Sequence, residues 1–82
     1  MLTEIGDSIQ VQAVFDGGGL RPVSFTWGGR DYLIDEITGR WKAAQGRAVL
    51  LCFAVVCGAD VFELVLNTGN MRWTLARADV EG

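Results

Sequence analysis

The stretch FTWGGRDYLI, residues 25–34, is the part of the sequence that most clearly predicts its local structure. Apolar and polar side chains alternate on both sides of Gly28 and Gly29, which is typical of two strands joined by a tight turn. A two-residue type I′ turn needs a positive φ at both central positions, and glycine reaches it without steric cost. The stretch therefore predicts a β-hairpin whose aromatic side chains pack across the pair of strands.

The residues before the hairpin predict a further strand. In SIQVQAVF, residues 8–15, apolar side chains occupy every second position, so one face is expected to be buried. The turn-forming residues 16–19, DGGG, end this strand. The strand that leads into the hairpin is expected to begin near Pro22 or to lie at an edge, because proline lacks the N–H of a central strand position.

The segment DEITGRWKAA, residues 35–44, is compatible with two structures. Asp35 could cap a short helical turn that places Ile37 and Trp41 on one side. Gly39 would cost that helix about 1 kcal/mol, so we favour an irregular or bulged strand that reaches Trp41 and is followed by a loop.

The segment AVLLCFAVVC, residues 48–57, is apolar on both faces. Such a strand is central and covered on both sides, either because the sheet curls around it or because a partner covers one face. Alternation does not decide which face is inside: the set beginning with Val49 and Leu51, or the set beginning with Leu50 and Cys52.

Two more alternating segments, residues 61–67 and 71–76, complete the pattern. Short strands with turn signals every 8 to 12 residues predict an all-β fold, in which an antiparallel meander of five or six strands curls into a small SH3-like or OB-like barrel. We expect residues 1–82 to form one domain, with loose termini at 1–7 and 79–82.

The composition limits the class of protein. The chain has 82 residues, half of them apolar, and a net charge of −3, which together indicate a folded domain with a dense core. Its longest apolar run, residues 48–59, is too short for a membrane-spanning helix. The first residues lack the basic and apolar regions of a signal peptide. We therefore expect a cytoplasmic protein without a membrane partner.

The two cysteines are expected to be reduced core residues. Cys52 and Cys57 lie five positions apart on one strand, which separates their Cα atoms by about 16 Å, whereas a disulfide needs less than about 7 Å. The chain has no histidine and no second cysteine pair, so neither a metal site nor a cofactor is expected.

Catalytic chemistry is also not indicated. Without histidine the chain lacks the usual general base near neutral pH. The glycine-rich DGGGLR does not have the spacing of a phosphate-binding loop, and Asp35 and Glu36 would point to opposite faces of a strand. We therefore expect a non-enzymatic protein with no catalytic residues.

One group of residues combines cationic and aromatic side chains in a way that suits ligand binding. Residues 20–47 carry a local charge of +2 within an acidic chain, with five basic residues against three acidic ones. Bases can stack on exposed aromatic rings while cations contact phosphates. Trp27 and Trp73 each share a strand face with apolar residues and are expected in the core. The candidate ligand-binding residues are Arg30, Arg40, Trp41 and Lys42.

The run RPVSFTWGGRDYLIDEITGRW, residues 21–41, resembles a motif of a small bacterial domain family of unknown function. The motif is aromatic–x–Trp–x–Gly–Arg–x–Tyr, then Ile five positions later and Trp four after that. The later residues 61–78 are similar to that family's closing hairpin. The family occurs alone or beside genes for error-prone, Y-family DNA polymerases, which implies a link with DNA damage tolerance. The matching positions are Phe25, Trp27, Gly29, Arg30, Tyr32, Ile37 and Trp41.

The function that we expect first is that of a non-enzymatic binding or adaptor module acting through protein–protein contact. The acidic balance and the surplus apolar surface of residues 48–57 favour a protein partner or self-association. The alternative is a weak single-stranded nucleic-acid binder that uses Trp41 with Arg30, Arg40 and Lys42.

Overall fold

The computed structural model describes residues 1–80, and this part of the chain forms seven strands. The prediction of an all-β fold is confirmed, whereas the expected five or six strands are too few. The strands are β1 Thr3–Asp16, β2 Gly19–Trp27, β3 Arg30–Leu33, β4 Glu36–Gln45, β5 Ala48–Cys57, β6 Asp60–Asn67 and β7 Arg72–Asp79.

The connection between β3 and β4 forces the sheet to curl. All seven strands pair antiparallel in one sheet of order β3-β2-β1-β7-β6-β5-β4, so two consecutive strands lie at opposite edges. A flat sheet would place those edges about 29 Å apart, but the link from Leu33 to Glu36 reaches at most about 11 Å. The sheet is therefore a curled half-barrel.

Backbone hydrogen bonds join the two edges at this link. The amide of Ile34 donates to the carbonyl oxygen of Val23 in β2 at 3.0 Å, and the amide of Asp35 donates to that of Val56 in β5 at 2.8 Å. The two edges of the curled sheet face each other along a line that we call the seam. The sheet is closed at one end of the seam, where neighbouring residues of the link bond to strands on both sides of it.

The hairpin predicted at residues 25–34 is present as a type I′ turn. Gly28 and Gly29 have φ values of 59° and 77°, and Phe25 faces Tyr32 in the register of β2 and β3. The segment 35–44 is a strand rather than a helix, with a register shift between Ile37 and Gly39. This confirms the bulged strand, although β4 continues through residues 42–45, where a loop was expected.

The ends of the chain are more ordered than the sequence suggested. Residues 3–7 belong to β1 and Asp79 ends β7, so these parts of the expected loose termini are strands. The N-terminal amine lies 3.0 Å from the carboxylate of Asp79. A bulge between Glu4 and Asp7, where Gly6 has a φ of 81°, bends β1. Residues 81–82 lie outside the described part.

The odd-numbered side chains of β5 face the interior, which resolves the alternative that alternation left open. Phe53, Val55 and Cys57 are buried in the core, and the outer face carries Leu50, Cys52, Ala54 and Val56. In the closed half of the barrel, the rings of Phe25, Tyr32 and Phe62 lie with their centroids 5.0 Å apart. Aromatic packing of this kind suits a small domain that must gain stability from few residues.

The two ends of the half-barrel differ. At the end that we call the closed end are the turns after β2 and β5 and the link between β3 and β4. At the opposite end, which we call the open end, are the turns after β1, β4 and β6. Because the link joins the two edges only at the closed end, β2 and β4 separate towards the open end.

Candidate functional site

An open groove lies where β2 and β4 separate, and we call it the trough. It has a volume of about 320 Å³ and is mostly apolar. Leu20, Leu51 and Phe53 supply its apolar floor, while two cations of β4 stand at its rim. The residues that line the trough are Leu20, Arg40, Trp41, Lys42, Leu51, Cys52 and Phe53.

Arg40 bridges the two sides of the trough. Its Nη1 donates a hydrogen bond to the carbonyl oxygen of Leu20 in β2 at 3.0 Å. Its guanidinium carbon lies 5.6 Å from the centre of the Phe53 ring, within the range of a cation–π contact. A side chain thus spans the seam where directly paired strands would bond through their backbones. A guanidinium has five N–H donors, so the bond to Leu20 leaves Arg40 with further hydrogen-bonding capacity.

The candidate residues of β4 are divided between the two faces of the sheet. Arg40 pairs with Phe53 and Lys42 with Leu51, and because Phe53 is in the core and Leu51 packs against it, both cations belong to the inner face. Trp41 belongs to the outer face: its Cζ3 lies 3.7 Å from the position of a Cβ on Gly39. Trp41 is 43% exposed, so its ring is accessible from solvent.

Arg30 does not join the other three candidates. It lies beside the β2–β3 turn at the closed end, with its guanidinium carbon 5.8 Å from the Tyr32 ring centre. The trough begins near Leu20, at the far end of β2. The structure therefore brings Arg40 and Lys42 together, places Trp41 behind them and leaves Arg30 at the opposite end.

The remaining tryptophans pack against the core, as the sequence predicted. The indole N–H of Trp27 donates to the carboxylate of Asp7 at 2.9 Å, so its polar atom is satisfied at the edge of the core. The Trp73 ring lies 5.7 Å from that of Phe53. Both rings therefore support the interior walls of the half-barrel.

Phe15 is an exposed aromatic residue that the sequence placed on a buried face. It pairs with Leu20 at the tip of the β1–β2 hairpin and is 82% exposed. Alternation correctly assigned it to the inner face, but the tip lies past the part of β1 that pairs with β7, residues 3–9. An inner-facing side chain is buried only where other strands surround it, and sequence periodicity does not reveal where that cover ends.

The charges are separated along the barrel. Register places five basic residues and one acidic residue at or towards the open end, a formal charge of +4: Arg21, Arg40, Lys42, Arg47, Arg72 and Asp16. The closed half carries two basic residues and eight acidic ones, a formal charge of −6: Arg30, Arg77, Glu4, Asp7, Asp31, Asp35, Glu36, Asp60, Glu63 and Asp79.

This separation gives the trough a positive surrounding in a protein with a net charge of −3. The acidic residue at the open end, Asp16, forms an ion pair with Arg21 at 3.6 Å. A carboxylate or phosphate that approaches the trough therefore meets a favourable local field, which a net charge does not describe.

The cysteines offer little nucleophilic chemistry. Cys52 and Cys57 are free and buried. Burial, and secondarily the charge of Glu63, raises the pKa of the Cys52 thiol, although Cys52 borders the trough. Burial, followed by Asp35 and Asp60, raises the pKa of Cys57 to about 11. Since the thiolate is the reactive form of cysteine, this burial lowers the nucleophilic reactivity of both thiols.

Within residues 1–80 no three cysteine or carboxylate side chains are arranged to hold a metal ion. The same residues include no helix long and apolar enough to cross a bilayer. Compared with known proteins, the chain matches no family model, no curated protein and no solved structure. The resemblance of residues 21–41 to a bacterial domain family therefore stays a prediction.

Proposed function

We propose that this protein is a non-enzymatic binding module that contacts a partner protein through its open end. The observation that supports this most directly is the coincidence of an apolar trough with the positive end of a charge-separated molecule. Apolar floor and cationic rim together suit a segment that carries both apolar surface and carboxylates.

The exposed side chains around the trough are of the types that contribute most at interfaces. Phe15, at 82% exposure, and Trp41, at 43%, stand on either side of the seam, and aromatic and arginine residues dominate the energetics of many interfaces. The cations would steer a partner, set its orientation and pair with its carboxylates. As part of the same proposal, we place this half-barrel among the small SH3-like or OB-like barrels, of which the OB-fold binds its ligands on a sheet face.

Two double variants with equal net charge test the location of the binding surface. The open-end variant is Arg40→Gln with Lys42→Gln, and the closed-end variant is Arg30→Gln with Arg77→Gln. Immobilised wild type and both variants are incubated with extract from the source cells, and bound proteins are quantified by mass spectrometry. Each candidate is then purified and its saturable binding is measured by calorimetry.

We expect a partner that binds the wild type and the closed-end variant equally and the open-end variant at least ten-fold more weakly. A partner that is lost equally from both variants would place the binding surface elsewhere. If no purified protein binds saturably, the adaptor function is wrong.

The alternative function, a weak single-stranded nucleic-acid binder, is favoured by two exposed aromatic residues, Phe15 and Trp41, in a molecule whose open end carries five cations. The family resemblance adds the proposed context of DNA damage tolerance. Titration of labelled protein with a short oligo-dT at low salt tests it through the three indole N–H signals. This reading requires shifts at Trp41 that disappear as salt is added and weaker binding by Trp41→Ala.

This alternative ranks second because of where the side chains lie. Trp41 occupies the outer face, whereas Arg40 and Lys42 belong to the inner face. A base stacked on Trp41 would therefore have its phosphates directed away from those two cations. The formal charge of −6 in the closed half also repels a polyanion that extends beyond the trough.

A further inference from the structure

We propose that the partner segment binds as an added β-strand along the free edge of β4, with glutamate side chains directed into the trough opposite Arg40 and Lys42. This inference rests on the proposed function, and it specifies the chemistry and the backbone conformation of the partner. It follows from the position of β4, from the direction of its backbone groups and from its charges.

Residues 40–45 of β4 lie nearer the open end, and we call them its upper half. They form an accessible sheet edge. β4 is the last strand of the sheet and pairs on one side with β5. From Gly39 to Gln45 its register with β5 is regular, and residues 41–45 are all exposed. An extended, regular edge of this kind offers a row of unpaired N–H and C=O groups to another strand.

Other parts of the sheet edges are less suited to strand addition. β3 has only four residues, two of them the charged Arg30 and Asp31. The lower half of β4 carries the bulge between Ile37 and Gly39 and adjoins the link that closes the barrel. Short, charged and bulged edges resist pairing with another chain. The upper half of β4 has no proline and no bulge.

The hairpin geometry shows which backbone groups face the free edge. Gln45 pairs with Ala48 across a two-residue turn, and the residues that close such a turn bond to each other. Bonded and non-bonded pairs then alternate along an antiparallel ladder. The N–H and C=O groups of Arg40, Lys42 and Ala44 therefore point towards the open edge, and these are also the residues of the inner face.

The same alternation selects the charge of the added strand. In an antiparallel pairing, the residue that bonds to Lys42 on this edge also places its side chain beside Lys42, over the trough; in a parallel pairing, that place is taken by the residue between the two that bond to Lys42. A second copy of β4 would bring further lysine and arginine against Arg40 and Lys42, and such like-charge pairs are unfavourable. Inward-pointing charges are a known protection against self-pairing. A strand with carboxylates at alternate positions reverses that repulsion.

The apolar floor favours glutamate over aspartate at those positions. The trough has Leu20 on its β2 side and Leu51 on its β5 side, and Phe15 is exposed next to Leu20. A glutamate stem can cover this apolar surface while its carboxylate reaches the guanidinium or ammonium at the rim, as long amphipathic side chains do elsewhere.

The test uses blocked seven-residue peptides and the 15N-labelled full chain. The probe is Thr-Glu-Thr-Glu-Thr-Glu-Thr, and a peptide with lysine in place of glutamate is the charge control. Two further peptides carry N-methyl groups on all glutamates or on all threonines. Since successive residues of a strand direct their N–H groups to opposite edges, only one of these two patterns interferes with pairing to β4.

We expect saturable amide shifts at residues 40–45, slower hydrogen exchange of the Lys42 and Ala44 amides, and no binding of the lysine peptide. One N-methylated peptide should bind at least ten-fold more weakly and the other equally well. Loss on glutamate methylation would indicate an antiparallel added strand, and loss on threonine methylation a parallel one. The open-end variant should lose binding at least ten-fold, while the closed-end variant keeps it.

Equal binding of both N-methylated peptides would overturn strand addition while leaving a binding module with a positive trough. No shift with the unmethylated peptide would overturn the proposed partner chemistry, and the capture experiment would still decide the adaptor function by itself. Stronger binding of oligo-dT than of the peptide at residues 40–45 would overturn the inference in favour of nucleic acid.

Discussion

Gly28 and Gly29 determine the geometry of the β2–β3 hairpin through their backbones alone. Both have a positive φ, and a Cβ added at either position would meet no atom within 4 Å. We predict that Gly28→Val lowers the free energy of unfolding by more than about 1 kcal/mol, because a β-branched residue is strained in the left-handed region. Gly28→Asn should lower it much less, since asparagine tolerates that region.

Urea unfolding followed by tryptophan fluorescence measures these free energies. Gly17→Val is the matched control, because Gly17 lies in the β1–β2 turn without a positive φ and also has open space around it. If Gly28→Val and Gly17→Val lower the free energy of unfolding equally, the cost does not come from positive φ.

Cys57 links the stability of the core to alkaline pH. Burial and two nearby carboxylates raise the pKa of its thiol from 9.0 to about 11 in the folded protein. The fold thus favours the neutral thiol, so this contribution is complete below pH 9 and is lost as the pH rises through about 11. We predict that the unfolding free energy of the wild type falls more steeply over this range than that of Cys57→Val. Urea titrations at several pH values measure it, and parallel profiles would contradict the role of this thiol.

At the scale of strands, the sequence predicted those features that depend on a few neighbouring residues. Gly28 with Gly29 specified the hairpin, and Gly39 correctly argued for a bulged strand. The orientation of β5 was not predictable, because both of its faces are apolar. Leu51 on the inner face is partly buried, and Cys52 on the outer face is buried. The placement of β3 and β4 at opposite edges was not predictable either, since it depends on how the whole sheet curls.

Arg40 is the side chain that joins β4 to β2 above the closed end. We predict that Arg40→Met lowers the free energy of unfolding by about 1 kcal/mol, because it removes a hydrogen bond from a charged donor and a cation–π contact at a partly solvated site. Lys42→Met, two residues away on the same face, should change it by less than about 0.5 kcal/mol. Thermal or urea unfolding of both variants provides the comparison. Equal effects would mean that the contact with Leu20 does not stabilise the seam.

At the scale of the molecule, the site is a product of the fold more than of any motif. The sequence identified Arg40, Trp41 and Lys42 as candidates because two cations flank an aromatic residue, and it added Arg30 because cationic and aromatic side chains interleave over this part of the chain. Adjacent residues of a strand point to opposite faces. Trp41 therefore does not share a face with Arg40 or Lys42, although the sequence grouped the three. The cations at or towards the open end come from β2, β4, the β4–β5 turn and β7, and only the register of the sheet brings them to the same end.

Charge separation predicts chromatographic behaviour that the net charge does not. With an isoelectric point near 4.6 and a charge of −3, a uniformly charged protein of this size would pass through a cation exchanger at pH 7. The longest dimension is 38 Å, whereas the screening length falls from about 30 Å at 0.01 M salt to about 10 Å at 0.1 M. A charged resin at intermediate salt therefore interacts mainly with the nearer end, and we predict that the wild type is retained on both anion and cation exchangers.

The open-end variant should lose retention on the cation exchanger, while the closed-end variant, which has the same net charge, should keep most of it. Equal loss by the two variants would show that retention follows net charge, and the positive trough would then have no distinct field to offer a partner.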